Sequence, residues 1–239
     1  ARRPVPPQAL ADRRKSRWGN RVLGSLSQPV SLEPVETIDA EVVYLGWFFD
    51  HFGHFLLESL ARTWILDQID PTLPVVFHAQ RKPDLSGPIL AILELLGIQR
   101  ERVLVPEQQT RFRRAIVPEP LYEISHSAHP WFTRPFQRIA DSLAPRETPT
   151  DQPLYLSRRL LSSRQRTIVG EFELEEVLRD NSFLVAHPET MTFADQVRMM
   201  NRHRQVFTSA GSGAYMPLFA RTPPRLHVFT AGIPFLDFF

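Results

Sequence analysis

Between residues 53 and 69 apolar side chains recur at intervals of three and four. Leu56, Leu57, Leu60, Ala61 and Trp64 share one face, which predicts an amphipathic helix closed by Pro71 and Pro74. Before it, residues 20–46 alternate weakly between prolines and predict short strands. After it, Pro74–Phe77 reads as a buried strand, Ile89–Leu96 as a helix stopped by Gly97, and Arg102–Val105 and Arg113–Val117 as further strands. Trp131–Leu143 reads as a helix. The stretch 144–153 holds three prolines and little that is apolar. Beyond it the rhythm is regular: strands at 154–157, 183–186, 205–208 and 225–229 alternate with helices at 171–180, 192–203 and 213–220. Such alternation predicts parallel β-α-β units and an α/β fold. Both halves read as open sheets with a cleft between them: a basic arm over 1–18, one domain over 19–146, a linker at 147–153 and a second domain over 154–239. Ligands of open α/β sheets lie beyond the carboxyl ends of the strands.

Composition narrows the function. Of the 239 residues, 43% are hydrophobic, enough for a sizeable core. The absence of cysteine excludes disulfides, zinc–thiolate sites and cysteine nucleophiles, and is compatible with a reducing cytoplasm. No apolar run approaches the ~20 residues of a membrane-spanning helix. The 28 basic residues are nearly all arginine and are almost balanced by 26 acidic ones. A net charge of +2 argues against a nucleic-acid partner, whereas arginine suits planar oxyanions such as phosphate and sugar acids. The arm over 1–18, with Arg2, Arg3, Arg13, Arg14, Lys15 and Arg17, reads either as a solvated tail or as a peripheral contact with an anionic membrane surface.

Three segments carry candidate chemistry. In Asp50-His51-Phe-Gly-His54-Phe-Leu-Leu-Glu58-Ser-Leu-Ala-Arg62, helical spacing sets His54, Glu58 and Arg62 in one polar stripe. A carboxylate one turn from an imidazole fixes its tautomer and raises its basicity, as a general base requires. The same stripe also reads as a solvated face with an ordinary Glu58–Arg62 ion pair. The second segment follows the strand at 154–157 and bears Arg158, Arg159, Arg164 and Arg166, with Glu171 opening the next helix. Its guanidinium groups suit a diphosphate leaving group, and Glu171 suits ribose hydroxyls; a solvated basic loop and a helix-dipole acid are the plainer alternatives. The third, Ser209-Ala-Gly211-Ser212-Gly213-Ala214, is a strand-to-helix turn suited to a phosphate or to a tight bend. His126 and Trp131 lie in a loop-like stretch suited to an acceptor cleft.

These segments, in this order over roughly residues 45–229, resemble glycosyltransferase family 61, the capsular-polysaccharide-type transferases. The resemblance rests on Gly53-His54-Phe55-Leu56-Leu57-Glu58 with Arg62 and Trp64, on Leu156-Ser157-Arg158 with Arg166 and Glu171, on Phe193-Ala-Asp-Gln196, and on Ala210-Gly211-Ser212-Gly213 through Phe219. It departs from the family pattern at Gly170, where Asn is frequent, and at Ala210, where many members have His. It implies a GT-B-like architecture of two Rossmann-like domains, the donor on the second and the acceptor on the first. It implies inverting sugar transfer from a nucleotide-sugar donor to a glycan or lipid-linked acceptor, without a cofactor or metal, in bacterial surface polysaccharide synthesis in the cytoplasm or at the inner membrane. On that reading His54 is the base, with Glu58 orienting it or replacing it. Arg158 and Arg166 hold the diphosphate, Glu171 the ribose, and Gly211, Ser212 and Gly213 the phosphate or donor sugar. His51, Arg62, His126 and Trp131 line the acceptor side. A non-catalytic nucleotide- or glycan-binding module on the same scaffold is the competing expectation.

Overall fold

The computed structural model describes residues 36–79, 82–124, 126–161 and 168–230. The basic arm, Arg164 and Arg166 lie outside them. By contact density the chain divides into a small unit, Ala1–Thr37 with Gln108–Arg111, and a large one, Ile38–Glu107 with Phe112–Phe239. Within the small unit the described residues meet through Glu36 N–H on the Gln109 carbonyl and the Thr110 hydroxyl on the Glu36 carboxylate, both at 3.2 Å.

The large unit is an α/β structure with two parallel-stranded sheets. In the first, β1 (Glu36–Trp47), β2 (Val75–His78), β3 (Val103–Leu104) and β4 (Thr110–Ile116) stand in the order β3-β2-β1-β4, with β1 counted to this unit from Ile38 and β4 from Phe112. Val43 pairs with Val75 and Val75 with Val103, in parallel. Where the sequence predicts short strands over 20–46, the described part is the 12-residue β1. Tyr122–Glu123 and Ser127–Ala128 (β5 and β6) form a small antiparallel hairpin that the apolar pattern does not signal, since neither strand buries a continuous apolar face.

The second sheet holds β7 (Leu154–Leu156), β8 (Leu184–Ala186), β9 (Gln205–Ser209) and β10 (Arg225–Phe229) in the order β10-β9-β7-β8, all parallel. The connection from β7 runs to one side and β9 lies on the other. The strand order therefore reverses between β7 and β9, and their carboxyl ends flank the crevice where such sheets take ligands. Leu154, Leu156 and Val206 project from this sheet into one apolar cluster with Val43, Leu45, Val75 and Phe77 of the first. Phe136 of the helix Arg134–Leu143 and Phe193 of the helix Phe193–Met200 meet Phe219 edge-on, at 5.2 and 5.1 Å between ring centres.

Two predicted helices are corrected. Residues 53–69 are not one α-helix: a turn at Phe52–His54 runs into a π-helical turn at Phe55–Ser59, and a 3₁₀ segment follows at Thr63–Gln68. The widening is visible in the Leu60 N–H, which reaches back five residues to the Phe55 carbonyl at 3.1 Å. The segment after β9 is a 3₁₀ run, Ser212–Phe219, containing Pro217, which has no N–H to donate to a helical ladder.

Candidate functional site

His54 and Glu58 face each other across one turn, with Nδ1 2.6 Å from Oε1. Their side chains keep 20% and 30% of their surface exposed, so the pair is sheltered but reachable. Donation of Nδ1–H to the carboxylate leaves the lone pair of the imidazole on Nε2. The π-helical turn does not break this i,i+4 relation, and π-turns of this kind recur at functional positions. His51 stands at the entrance, its ring 5.3 Å from that of His54. Arg62, the last member of the stripe, donates from Nε to the Pro118 carbonyl at 3.0 Å.

The glycine-serine turn comes to the same place. Gly53 is buried, and a Cβ there would stand 2.9 Å from the ring of Tyr215 and 3.4 Å from the Ser212 hydroxyl. Only a bare Cα lets the 3₁₀ run Ser212–Phe219 sit this close to the residue next to His54. Arg158, one residue beyond Ser157 at the end of β7, crosses to the end of β9 and donates from Nη1 to the Ala210 carbonyl at 3.2 Å. Its guanidinium would lie 3.0 Å from a Cβ on Gly211, whose φ of +149° already favours glycine. Gly213 lies against the Thr208 hydroxyl. His54, Ser212, Gly211 and Arg158, drawn from three separate segments, thus form a connected set at the reversal of strand order.

Glu171 is placed differently from a free ribose ligand. It is 4% exposed. Its Oε1 accepts the Tyr155 hydroxyl at 2.8 Å and the Arg158 N–H at 2.9 Å. It therefore anchors the backbone from which Arg158 extends. Burial, then the bond to Glu171, pushes the Tyr155 phenol far above its ordinary value. Arg166 lies outside the described residues. His126 is exposed at the hairpin turn, and Trp131 is the second residue of the 3₁₀ segment Pro130–Thr133, away from the His54–Glu58 pair in the chain but beside Thr63 and Trp64 in space.

Several residues of the site carry no signal in the sequence. Tyr122, on the hairpin, has its phenol pushed up to about 12 by burial and by the nearby Tyr215 and Glu58. Tyr122 therefore lies near both Tyr215 and the Glu58 carboxylate. At the carboxyl edge of the first sheet, the Tyr44 hydroxyl and His78 Nδ1 share a hydrogen bond of 2.5 Å. Burial, and then Arg62, hold the His78 pKa low and keep that ring neutral. Trp47 meets His78 edge-on at 4.0 Å, and Phe49 links Trp47 to His54, making a continuous aromatic wall. The Ser209 hydroxyl, at the end of β9, is buried with no hydrogen-bond partner among the described residues. Glu175 is fully buried under Ser157 and Arg159. None of these is separable by spacing alone from an ordinary core or surface residue.

The family model for Glycosyltransferase 61 matches residues 52–226, from the start of the His54 turn to β10. The chain belongs to glycosyltransferase family 61. No curated protein matches it. The resemblance drawn from Gly53–Glu58, Ser157–Arg158 and Ala210–Gly213 is therefore borne out. Among the described residues, no helix is long and apolar enough to cross a membrane.

Proposed function

We propose that this family 61 protein transfers a sugar from a nucleotide-sugar donor to a glycan or lipid-linked acceptor, with inversion and without a metal. The observation that carries the reading is the packing of Ser212 and Tyr215 against Gly53, which sets the arginine–glycine crevice beside the His54–Glu58 pair. In this reading the diphosphate lies at the reversal of strand order, against Arg158, the Gly211–Gly213 turn and the Ser209 hydroxyl, which has no partner among the described residues. Arg166, outside the described residues, is assigned to the same diphosphate by the family resemblance alone. Guanidinium and backbone N–H groups stabilise the charge that builds on the departing diphosphate, the task a metal performs elsewhere. His54 Nε2 takes the proton of the acceptor hydroxyl as its oxygen attacks the anomeric carbon, and Glu58 holds the imidazolium that forms. Glu171 acts on the donor side by fixing Arg158. His51 and Arg62 border the acceptor entrance. The family's two-domain GT-B arrangement accommodates this layout, with the second sheet as the donor half. A bacterial surface polysaccharide made on the cytoplasmic side remains the expected product.

A thermal-shift panel of UDP, GDP, CDP, CMP and ADP, with and without EDTA, tests the donor half. One nucleotide is expected to raise the melting temperature, EDTA to leave that shift in place, and Arg158→Ala to remove it. His54→Ala is expected to lower transfer by about 10²–10⁴-fold at unchanged melting temperature. Full activity in that variant would refute the base assignment. A nucleotide shift without turnover for any acceptor would point instead to a binding module, a reading that the Ala210 departure favours.

A further inference from the structure

A second recess lies along the segment that follows Arg62, outside the His54 site. Thr63, Trp64 and Asp67 form one side and Trp131, Arg134 and Arg138 the other, around ≈ 90 Å³ of space. Its two indoles are held differently. Trp64 donates its Nε1–H to the Glu119 carbonyl at 2.9 Å, which fixes the ring as a wall. Trp131 stays 43% exposed, a costly position for so large an apolar ring. The Arg134 guanidinium lies 4.0 Å from the centre of the Trp131 ring. Arg138 is paired with Asp67, whereas Arg134 has no carboxylate partner among the described residues. The recess therefore carries one positive charge with no carboxylate partner among the described residues, stacked on one face of a partly exposed indole. It also adjoins the catalytic stripe, because Arg62 and Trp64 hang on the neighbouring carbonyls of Pro118 and Glu119.

We infer that this recess is a distal acceptor subsite that takes one acidic sugar residue, a pyranose bearing a carboxylate, of a longer glycan. The inference rests on the transferase reading above. A pyranose presents a face of C–H groups with slight positive charge, which packs on the negative face of an indole. Its carboxylate matches the guanidinium of Arg134 in a charge-assisted, two-pronged contact that leaves the guanidinium on the Trp131 ring. Its hydroxyls meet the Asp67–Arg138 pair, which offers both an acceptor and donors. The volume is well below the ~300 Å³ at which pockets begin to enclose a whole ligand. It therefore admits one ring of a chain that continues toward Arg62 and His54.

Calorimetric titration of the full chain, without nucleotide, tests this with uronic-acid tetramers of several linkages and their carboxyl-reduced counterparts. At least one acidic tetramer is expected to bind, with its reduced form about tenfold weaker. Trp131→Ala is expected to weaken both forms about tenfold. Arg134→Gln is expected to weaken only the acidic form, leaving the melting temperature and the nucleotide shift unchanged. Absence of binding by every tetramer, or binding that ignores both substitutions, overturns the subsite. A nucleotide shift that persists in that case leaves the transferase reading standing, and loss of the nucleotide response as well removes both.

Discussion

Glu175 is fully buried, yet it is surrounded by charge. It accepts Ser157 Oγ at 2.6 Å, Arg179 Nη2 at 2.8 Å and Arg159 Nε at 3.1 Å, with His187 Nε2 at 3.6 Å. Burial alone pushes its pKa up, but the bonds from Ser157, Arg179 and Arg159 and the charge of His187 outweigh it and hold the carboxyl below its ordinary value. Because folding lowers this pKa, the stabilisation is complete above the ordinary glutamate value of about 4.3 and is lost as pH falls through the folded value. Glu175→Gln is expected to cost about 2–4 kcal/mol at neutral pH, and to flatten the fall of the melting temperature on acidification. An unchanged acid limb in urea or thermal melts would remove Glu175 from this role. Ser209 makes the opposite case. Its hydroxyl has no partner among the described residues, so Ser209→Ala should leave stability within about 0.5 kcal/mol while lowering nucleotide affinity. The His54–Glu58 relation was legible from four-residue spacing, whereas the Glu175 cluster was not. Arg179 stands four residues on along the same helix, but Ser157, Arg159 and His187 come from the ends of β7 and β8, and nothing in the chain announces that they meet Glu175.

The turn that carries His54 shows how an element departs from its apolar period. Leu56, Leu57, Leu60 and Ala61 are all buried, as helical spacing predicts. The backbone nevertheless widens into a π-turn and then tightens into a 3₁₀ segment. Burial demands were readable, because the side chains that must leave water are written in the sequence. The hydrogen-bond register was not, because it answers to what packs on the turn. On the donor side, Gly211 combines a positive φ with Arg158 at its Cα. Gly211→Ala should therefore displace the guanidinium and strain the backbone, lowering nucleotide affinity about tenfold or more for a stability cost of about 1–2 kcal/mol. Gly53→Ala tests the junction itself. A methyl at 2.9 Å from Tyr215 forces the 3₁₀ run away from His54, and transfer should fall much further than nucleotide binding. Equal losses of the two, measured as kcat and as nucleotide Kd, would place Gly53 outside the junction.

Across the large unit, one arginine ties the chain's two halves together. Arg221 follows the 3₁₀ run and reaches the end of the helix Arg134–Leu143. It contacts the Asp141 carboxylate at 2.5 Å and the carbonyls of Ala140, Ala144 and Pro145 at 3.1, 2.5 and 3.1 Å. These include the orphan carbonyls that every helix leaves at its carboxyl end, where a cation is also favoured by the helix dipole. Its own N–H is held by Asn201 at 3.0 Å. Arg221→Ala should cost about 2–3 kcal/mol and lower the melting temperature by several degrees, with Arg221→Lys recovering little, because an ammonium cannot span several carbonyls. Recovery by lysine would show that charge alone suffices.

By itself the sequence determined the α/β alternation, the buried faces, the family and the three candidate segments, His54–Glu58, Arg158 and Gly211–Gly213. Those features are local: each follows from residue type and from spacing within one element. Tertiary structure alone decided that Gly53 would touch Tyr215, that Arg158 would bridge from β7 to Ala210, that Glu171 would anchor a backbone, and that Trp64 would face Trp131. Each joins residues far apart in the chain, and such pairs are chosen by the packing of the whole core rather than by any pattern within one segment.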